Sequence, residues 1–310
     1  MTRGIHHVTA ISGPAHRNLG FYTRTIGLRL VKKTVNFDDP GTYHLYYGDE
    51  TGRPGTILTF FPWEHVAPGR VGVGETQETR FRVPEGAVGY WSHRFVEKGV
   101  AHERPEKRFG ETVLAFKDPD GMRLALVAER GIENEPAYSG GEVPAEHAIR
   151  GFHSVSLLLH EAEPTGAILA DVLGFSQIGR EDSMVRYKAG RTGIGGTVDI
   201  QAAGDFLRGR QGGGSVHHIA FRAADDAAEF AIQRKLADDH GIRTTEQKDR
   251  NYFRSIYFRE PGGVLFEVAT DIPGFATDEP VSSLGQALKL PAALEQRRKE
   301  IEAVLPTLAA

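Results

Sequence analysis

Two runs of alternating apolar and polar residues lie far apart in the chain and resemble each other. Residues 6–10 read HHVTA and residues 217–221 read HHIAF. Each run begins with two histidines and continues with alternating, largely β-branched positions, which predicts a strand with one half-buried face. Because His7 and His218 hold matching places in these runs, we expect a duplicated unit that brings one imidazole from each copy to a shared site.

A third predicted strand carries one carboxylate in an apolar run. Residues 264–269 read VLFEVA, with Glu267 as the only charged residue. An ionised glutamate inside such a strand is costly unless it pairs with a cation or binds a metal. Pairing with an arginine such as Arg250 is the first alternative. The second is a metal site, since two histidines and one carboxylate form the ligand set that suits Fe(II) with open positions.

Four glycines mark an internal repeat. Each follows a helix-like stretch and precedes a predicted strand, as is typical of the residue just after a helix. A strand begins roughly 20 residues before each of them, and the last strand of each unit lies about 30 residues after. Similar turns, DPDG at 118–121 and EPGG at 260–263, lead into two of those last strands. The pattern predicts four βαβββ modules. The glycines are Gly27, Gly99, Gly174 and Gly241.

The repeat divides the chain into modules 3–63, 74–129, 149–204 and 214–271. We expect an α+β protein with an N-terminal domain over 1–130, a linker over 131–148 rich in Gly, Pro and Glu, and a C-terminal domain over 149–271. A polar tail over 272–310 follows, with one helix over about 291–304 that begins with a proline in its first turn.

Modules of this kind pair so that their sheets curl into a cup, with inward-facing positions on the first and last strand of each partner. Only the pairing of modules one and four gives a three-ligand site, formed by His7, His218 and Glu267. Thr59 then occupies the fourth position as a non-ligand. Modules two and three should form a metal-free partner. The four pairs of inward positions are His7 and Thr59, Glu78 and Ala125, Ser154 and Ile200, and His218 and Glu267.

Three ligands leave room on the metal for both a substrate and O₂, as an oxygenase on Fe(II) requires. A filled four-ligand shell would favour Lewis-acid isomerisation on Zn or Ni. The chain has no cysteine, so a metal must bind nitrogen and oxygen ligands. Mn accepts the same set, and Zn or Ni can accompany a purified protein.

The composition limits the classes of partner that the chain can bind. The 310 residues carry a net charge of −4 with no block of Lys and Arg, which argues against nucleic-acid binding. No apolar run approaches the roughly 20 residues that cross a bilayer. The first residues lead directly into a strand, so we expect no leader segment and a cytoplasmic location. A homo-oligomer is left open.

These residues also resemble a known family. The four modules, HHVT at 6–9, HHIA at 217–220, LVKKTVNFDDP at 30–40, PAEHAIRGFH at 144–153 and RSIYFREPGGVLFE at 254–267 look like the hydroquinone-type ring-cleaving dioxygenases. That group belongs to the vicinal oxygen chelate (VOC) superfamily, which includes glyoxalases and extradiol dioxygenases. The similarity covers nearly the whole chain. It implies two cupped mixed sheets, with His7, His218 and Glu267 as iron ligands. It also implies five catalytic residues around the substrate, namely His6, Thr9, His217, Arg250 and Tyr257.

Each implied role has a simpler alternative. His6 and His217 precede the ligands and should point to the opposite strand face, unless the strand bulges. Tyr257 could be a sheet aromatic with a wet hydroxyl, and Arg250 a solvated charge in a polar loop. Thr9 is explained equally by β propensity. His44 lies in a strand that could line the wall of module one.

The sequence predicts an Fe(II)-dependent enzyme that cleaves the ring of a hydroquinone or related diphenol with O₂. The metal would lie between modules one and four. One alternative is a glyoxalase-like lyase or isomerase that uses Zn, Ni or Mn without O₂. The other is a non-catalytic protein that binds aromatic compounds or antibiotics and needs no metal.

Overall fold

The computed structural model describes residues 4–190 and 192–308. Four modules with the order strand, helix and three strands follow one another, which confirms the predicted βαβββ repeat. Module one contains β1 (Ile5–Ser12), α1 (Ala15–Gly20) continued by a π-helical turn (Phe21–Thr25), β2 (Arg29–Asn36), β3 (Asp39–Gly48) and β4 (Ile57–Pro62). Module two contains β5 (Glu75–Pro84), a 3₁₀ turn (Glu85–Ala87), α2 (Val88–Glu97), β6 (Glu106–Arg108), β7 (Glu111–Lys117) and β8 (Arg123–Glu129).

The second half repeats this order. Module three contains β9 (Phe152–Leu159), α3 (Glu163–Ala167) continued by a π-helical turn (Ile168–Val172), β10 (Phe175–Glu181), β11 (Met184–Ala189) and β12 (Thr197–Ala202). Module four contains β13 (Val216–Ala223), α4 (Asp226–His240), β14 (Lys248–Asp249), β15 (Phe253–Arg259) and β16 (Leu265–Pro273). Two 3₁₀ turns (Phe275–Thr277 and Val281–Ser283), α5 (Ala292–Glu295) and α6 (Arg298–Val304) form the tail.

The repeat glycines end the helical segments as predicted. Gly27, Gly99, Gly174 and Gly241 all have positive φ, between 64° and 78°, a conformation that glycine adopts without steric cost. Helix α4 shows the full pattern. The Asp225 carboxylate accepts the Ala228 N–H at its start, and Gly241 ends it in the left-handed conformation.

The strands form two eight-stranded mixed sheets. The first has the order β14–β15–β16–β13–β1–β4–β3–β2 and the second β10–β11–β12–β9–β5–β8–β7–β6. The first sheet therefore joins modules four and one, and the second joins modules three and two. At each centre the first strands of two modules run antiparallel, flanked by the last strand of each module in parallel. Each sheet curls into a cup.

One apolar core connects all four modules. Phe81 of β5 stacks on Phe152 of β9 with ring centroids 5.1 Å apart. Val8 and Ile219 extend the same buried cluster into the first sheet. Each such buried side chain contributes about 1.5–3 kcal/mol relative to an exposed one, so the core holds the first sheet against the second.

The sheets cross the boundary between the two halves of the sequence. Each sheet takes one module from residues 1–130 and one from residues 149–271. The proposal that these halves are separate domains stays a prediction. The loops before modules two and four also meet, since Arg70 and Arg210 exchange backbone hydrogen bonds of 2.8 Å.

The single tail helix predicted over 291–304 is wrong, because the segment forms two helices. The break lies at Arg297, whose ψ is 10°. Ile301 of α6 is buried against Val35 and Leu290. The second of the two helices is therefore the one that docks on module one.

No helix in residues 4–190 and 192–308 is both long enough and apolar enough to cross a membrane.

Candidate metal centre

Three strands of the first sheet bring His7, His218 and Glu267 together. In the central ladder, His7 pairs with Ala220 and Thr9 with His218, so the two histidines lie diagonally across from each other. Strand β16 runs beside β13 and adds Glu267. Nε2 of His7 lies 3.3 Å from Oε2 of Glu267, and Nε2 of His218 lies 2.8 Å from the same oxygen. One ligand atom from each residue falls within 4.8 Å of the other two.

The surroundings of Glu267 fit a bound cation. The side chain is fully buried, and neither carboxylate oxygen has a hydrogen bond of good geometry, although Nε2 of His218 lies close to Oε2. Burial by itself would raise the pKa of Glu267, but His7 and His218 hold that pKa well below its usual range. Burial lowers the pKa of His218, which favours the neutral imidazole that binds metals. A buried carboxylate facing two imidazole nitrogens is a suitable ligand set for a divalent ion.

The alternative of an arginine partner for Glu267 is not seen among the described residues. Arg250 instead approaches Asp38, with Nη2 3.5 Å from Oδ2. It also donates from Nε to the Tyr257 hydroxyl at 3.3 Å.

Each predicted ligand histidine is bonded to the histidine before it. The Nδ1 atoms of His6 and His7 lie 2.9 Å apart, and those of His217 and His218 lie 2.8 Å apart. Consecutive side chains of a regular strand point to opposite faces, but β1 pairs with β13 through two register shifts, at 5–7 and at 9–10. The irregular strand therefore lets neighbouring imidazoles meet.

The two outer histidines differ in their surroundings. His6 is 2 % exposed, also hydrogen-bonds the backbone of Thr270, and has its pKa lowered well below the usual value by burial and by His7. His217 lines a cavity, and burial together with His218 lowers its pKa to about 4. His6 is thus placed to support His7, whereas His217 can also touch a ligand.

The cavity in front of the cluster measures about 300 Å³. Its walls combine aromatic rings with a few polar and charged groups. The lining residues are His7, Asn36, Phe37, Asp38, His44, Tyr46, Phe61, Trp63, His217, His218, Thr245, Lys248, Arg250, Phe253, Tyr257 and Leu265. Of the five implied catalytic residues, His217, Arg250 and Tyr257 line this cavity, while His6 and Thr9 lie behind it. A volume of this size and lining suits one small aromatic ring.

Tyr257 and Arg250 form the module-four wall. The Arg250 guanidinium carbon lies 5.4 Å from the centre of the Tyr257 ring. The Tyr257 ring meets the His218 ring edge-on at 5.7 Å. Burial and Glu267 raise the pKa of the Tyr257 hydroxyl, which stays protonated at neutral pH.

The sequence did not identify Tyr46, and it placed His44 only in a strand that could line the wall of module one. The Tyr46 hydroxyl lies 2.8 Å from Nδ1 of His44, whose Nε2 lies 2.7 Å from the Thr59 hydroxyl. Thr59 donates in turn to Thr9 at 3.0 Å. Aligning module one with module four strand by strand could have found Tyr46, since it stands opposite Thr59 in the ladder.

The second cup corrects one predicted position. Ser156 pairs with Asp199 in β9–β12 where Ala220 pairs with Glu267 in β13–β16, so Asp199 and not Ile200 holds the inward position. A count along the chain was wrong by one residue, which moves a strand side chain to the other face. The inward positions of this cup are Glu78, Ala125, Ser154 and Asp199.

Arginines fill the second cup. The guanidinium of Arg80 pairs with Asp199 and lies 2.5 Å from Glu78, and Nε of Arg186 lies 2.7 Å from Asp199. Of the described residues, only His7, His218 and Glu267 form a three-residue group suited to a metal.

Comparison with known proteins places the chain in a family. The Glyoxalase/Bleomycin resistance protein/Dioxygenase superfamily profile matches residues 4–126. "Putative ring-cleaving dioxygenase MhqO" from Bacillus subtilis is 46% identical over 301 residues, covering 97% of this chain and 95% of the relative. The chain belongs to the glyoxalase/dioxygenase superfamily.

Two further similar proteins support this assignment. A crystal structure titled "putative dioxygenase" from Bacillus subtilis superposes with a TM-score of 0.94 at 44% identity, covering 99% of this chain and 98% of that one. A Sphingobium indicum protein named chlorohydroquinone/hydroquinone 1,2-dioxygenase is 33% identical, covering 96% of this chain and 94% of the relative. The predicted family, the cupped fold and an enzyme of the ring-cleaving dioxygenase class are confirmed.

Proposed function

We propose that this enzyme cleaves the ring of a hydroquinone or related diphenol with O₂, using Fe(II) held by His7, His218 and Glu267. The observation that carries this proposal is the convergence of three buried ligand atoms within 4.8 Å at the end of an aromatic-lined cavity. The name of the Bacillus subtilis relative supports ring cleavage, and the name of the Sphingobium indicum relative supports the substrate class.

The ligand set favours Fe(II), although Mn(II) is compatible with the same atoms. Two imidazoles and one carboxylate on one face are the usual ligands of non-haem Fe(II) oxygenases. Fe(II) bound there would supply the redox chemistry that combines O₂ with an electron-rich ring.

The protein residues position the substrate and control its charge. The aromatic rings of Phe61, Trp63 and Phe253 give a planar ring an apolar environment and reduce access of water. Tyr257 donates a hydrogen bond to the ionised oxygen of the substrate, and the nearby Arg250 guanidinium stabilises that negative charge. Lys248 adds a second cation to the same wall.

The other catalytic residues that the resemblance implies act through the metal ligands and the cavity wall. His6 and His217 hold the rings of His7 and His218 through their Nδ1 atoms, as outer hydrogen-bond partners of metal ligands commonly do. His217 also faces the substrate. Thr9 lies at the floor of the cup and connects it to the module-one wall through Thr59.

Position 59 argues against a glyoxalase-like lyase or isomerase. A fourth ligand would complete a closed shell, but Thr59 offers only a hydroxyl, and that hydroxyl already bonds His44 and Thr9. A non-catalytic binding protein would have no use for three converging ligand atoms.

The test is O₂ consumption by protein loaded anaerobically with Fe(II), with hydroquinones and catechols as substrates. We expect uptake together with an open-chain product, and neither with metal-free protein. His218→Ala should abolish both iron retention and O₂ uptake. His93→Ala, which removes a histidine 75 % exposed in its side chain, is the matched control and should change neither.

Full turnover without metal would refute the proposal. Stoichiometric metal with no uptake on any diphenol would refute the dioxygenase assignment and favour the lyase. Tight aromatic binding by metal-stripped protein with no turnover in any form would favour the binding protein.

A further inference from the structure

Two tyrosines hold equivalent positions in modules one and four of the first sheet. Tyr257 of β15 stands opposite Glu267 of β16, and Tyr46 of β3 stands opposite Thr59 of β4. Since Thr59 holds in module one the position of Glu267 in module four, Tyr46 is the counterpart of Tyr257. Both rings line the same cavity. The two modules therefore present one tyrosine each to a ligand.

Tyr257 is arranged to donate a hydrogen bond. Its oxygen accepts Nε–H of Arg250 at 3.3 Å and the hydroxyl of Ser255 at 3.2 Å. An arginine can only donate, so the direction of that bond is fixed. With its oxygen accepting twice, Tyr257 keeps its own proton for an acceptor in the cavity.

Tyr46 has the opposite arrangement. The Thr59 hydroxyl is assigned as the donor to Thr9, so its oxygen is the acceptor for Nε2–H of His44. A neutral imidazole carries one N–H, and burial together with the cluster histidines holds the pKa of His44 well below its usual value. Nδ1 of His44 is therefore an acceptor and takes the proton of Tyr46. The oxygen lone pairs of Tyr46 remain available to the cavity.

We propose that Tyr46, oriented by His44, is a second substrate-contact residue that accepts a hydrogen bond from a protonated hydroxyl of the substrate. The proposal rests on the proposed function, because it takes the substrate to be a diphenol. Tyr257 donates to the ionised oxygen that faces the cluster, and Tyr46 accepts from the hydroxyl that remains protonated. His44 is a positioning residue.

The proposed hydroquinone substrate needs such a second contact. The two oxygens of a catechol are neighbours and can both face one metal ion. The two oxygens of a hydroquinone lie at opposite ends of the ring, so the remote hydroxyl needs a partner of its own. A buried acceptor left without a donor disfavours analogues that lack this hydroxyl. Tyr46 therefore selects for hydroquinones whose second O–H is free.

The test compares anaerobic binding of hydroquinone and 4-methoxyphenol to the Fe(II)-loaded enzyme. The two probes share the ring and one ionisable hydroxyl, but only hydroquinone has a second donor. We expect the wild type to prefer hydroquinone by about tenfold, equal to about 1.4 kcal/mol. Tyr46→Phe keeps the ring that packs 5.1 Å from Phe275, and it should reduce the preference to about twofold or less.

Matched variants separate hydrogen bonding from folding. Tyr43→Phe removes a hydroxyl from the same strand on its opposite face and should keep the full preference. His44→Phe should lose the preference. His44→Asn keeps a polar atom near the position of Nδ1 and should restore part of it. Nitrogen NMR of His44 in the metal-free protein should show Nδ1 without a proton.

Each contrary result has a distinct meaning. Equal binding of both probes by the wild type, a preference retained by Tyr46→Phe, or a protonated Nδ1 of His44 would overturn the role of Tyr46. If hydroquinone is turned over in those cases, the proposed function is kept and only the role of Tyr46 is lost. If the wild type shows the preference, Tyr46→Phe loses it and no diphenol supports O₂ uptake, then Tyr46 is a ligand contact and the proposed reaction fails.

Discussion

Replacing His6 by leucine tests whether the buried outer histidine controls metal affinity. Leucine has a similar volume but no polar atom, so Nδ1 of His7 loses the partner that lies 2.9 Å away. Because His6 does not line the cavity, the variant should change metal binding while its effect on substrate binding stays small.

The expected loss of metal affinity follows from the position of His6, which is the hydrogen-bond partner of the ligand His7. Removing a hydrogen-bond partner of a ligand typically costs about 10–100-fold in metal affinity, equal to about 1.4–2.7 kcal/mol. With free metal about 1,000 times above the dissociation constant, the wild type gains about 4.1 kcal/mol of stability from the metal. The variant should keep about 1.4–2.7 kcal/mol of that gain at the same metal concentration.

Anaerobic competition against a chelator measures the affinity directly, and urea unfolding with and without metal measures the stability gain. The metal-free proteins give the baseline, because His6→Leu also leaves the Thr270 backbone without its partner. Phe253→Leu is the packing control, since Phe253 contacts the rings of both His6 and His7 but forms no hydrogen bond to them. An affinity within twofold of the wild type, with the fold intact, would show that His6 does not control metal binding.

Burial raises the pKa of Glu75 from 4.5 to about 7. The folded state therefore holds a proton that the unfolded chain has released, and stability falls as the pH rises between those values. Glu75→Gln should flatten this slope and add about 1 kcal/mol at pH 8 in urea unfolding, and an unchanged slope would contradict this. Arg80→Met removes the cation shared by Glu78 and Asp199 and should cost about 3 kcal/mol in the same assay, whereas a loss below about 1 kcal/mol would show that Arg108 and Arg186 suffice. Thr59→Glu supplies a fourth ligand, as a second carboxylate, and should tighten Zn(II) binding by at least about tenfold while abolishing O₂ uptake. Unchanged affinity would show that position 59 does not reach the metal.

Repetition made much of the site predictable. His7 and His218 were found because a duplicated module places equivalent residues at equivalent points of a strand, and period-two alternation then fixes their face. Glu267 was found because an ionised residue in an apolar strand needs a partner. Pairing modules one and four followed from counting ligands, and the sheet order agrees.

Other features depended on irregularities that a single sequence does not display. The contacts of His6 with His7 depend on register shifts in β1. Asp199 was missed because a one-residue change of register inverts the faces of a strand. The docking of Ile301 against Val35 is a tertiary contact that the tail sequence alone does not display.

Repeated spacing and alternation are local properties of the chain, so they already specify the modules, the fold class and the three residues that converge. The hydrogen-bond partners around those residues become visible only in the folded sheet. Tyr46 and Tyr257 occupy equivalent positions, yet one is bonded to a histidine and the other to an arginine. These partners lie on different strands and loops, and such contacts exist only once the sheet has formed.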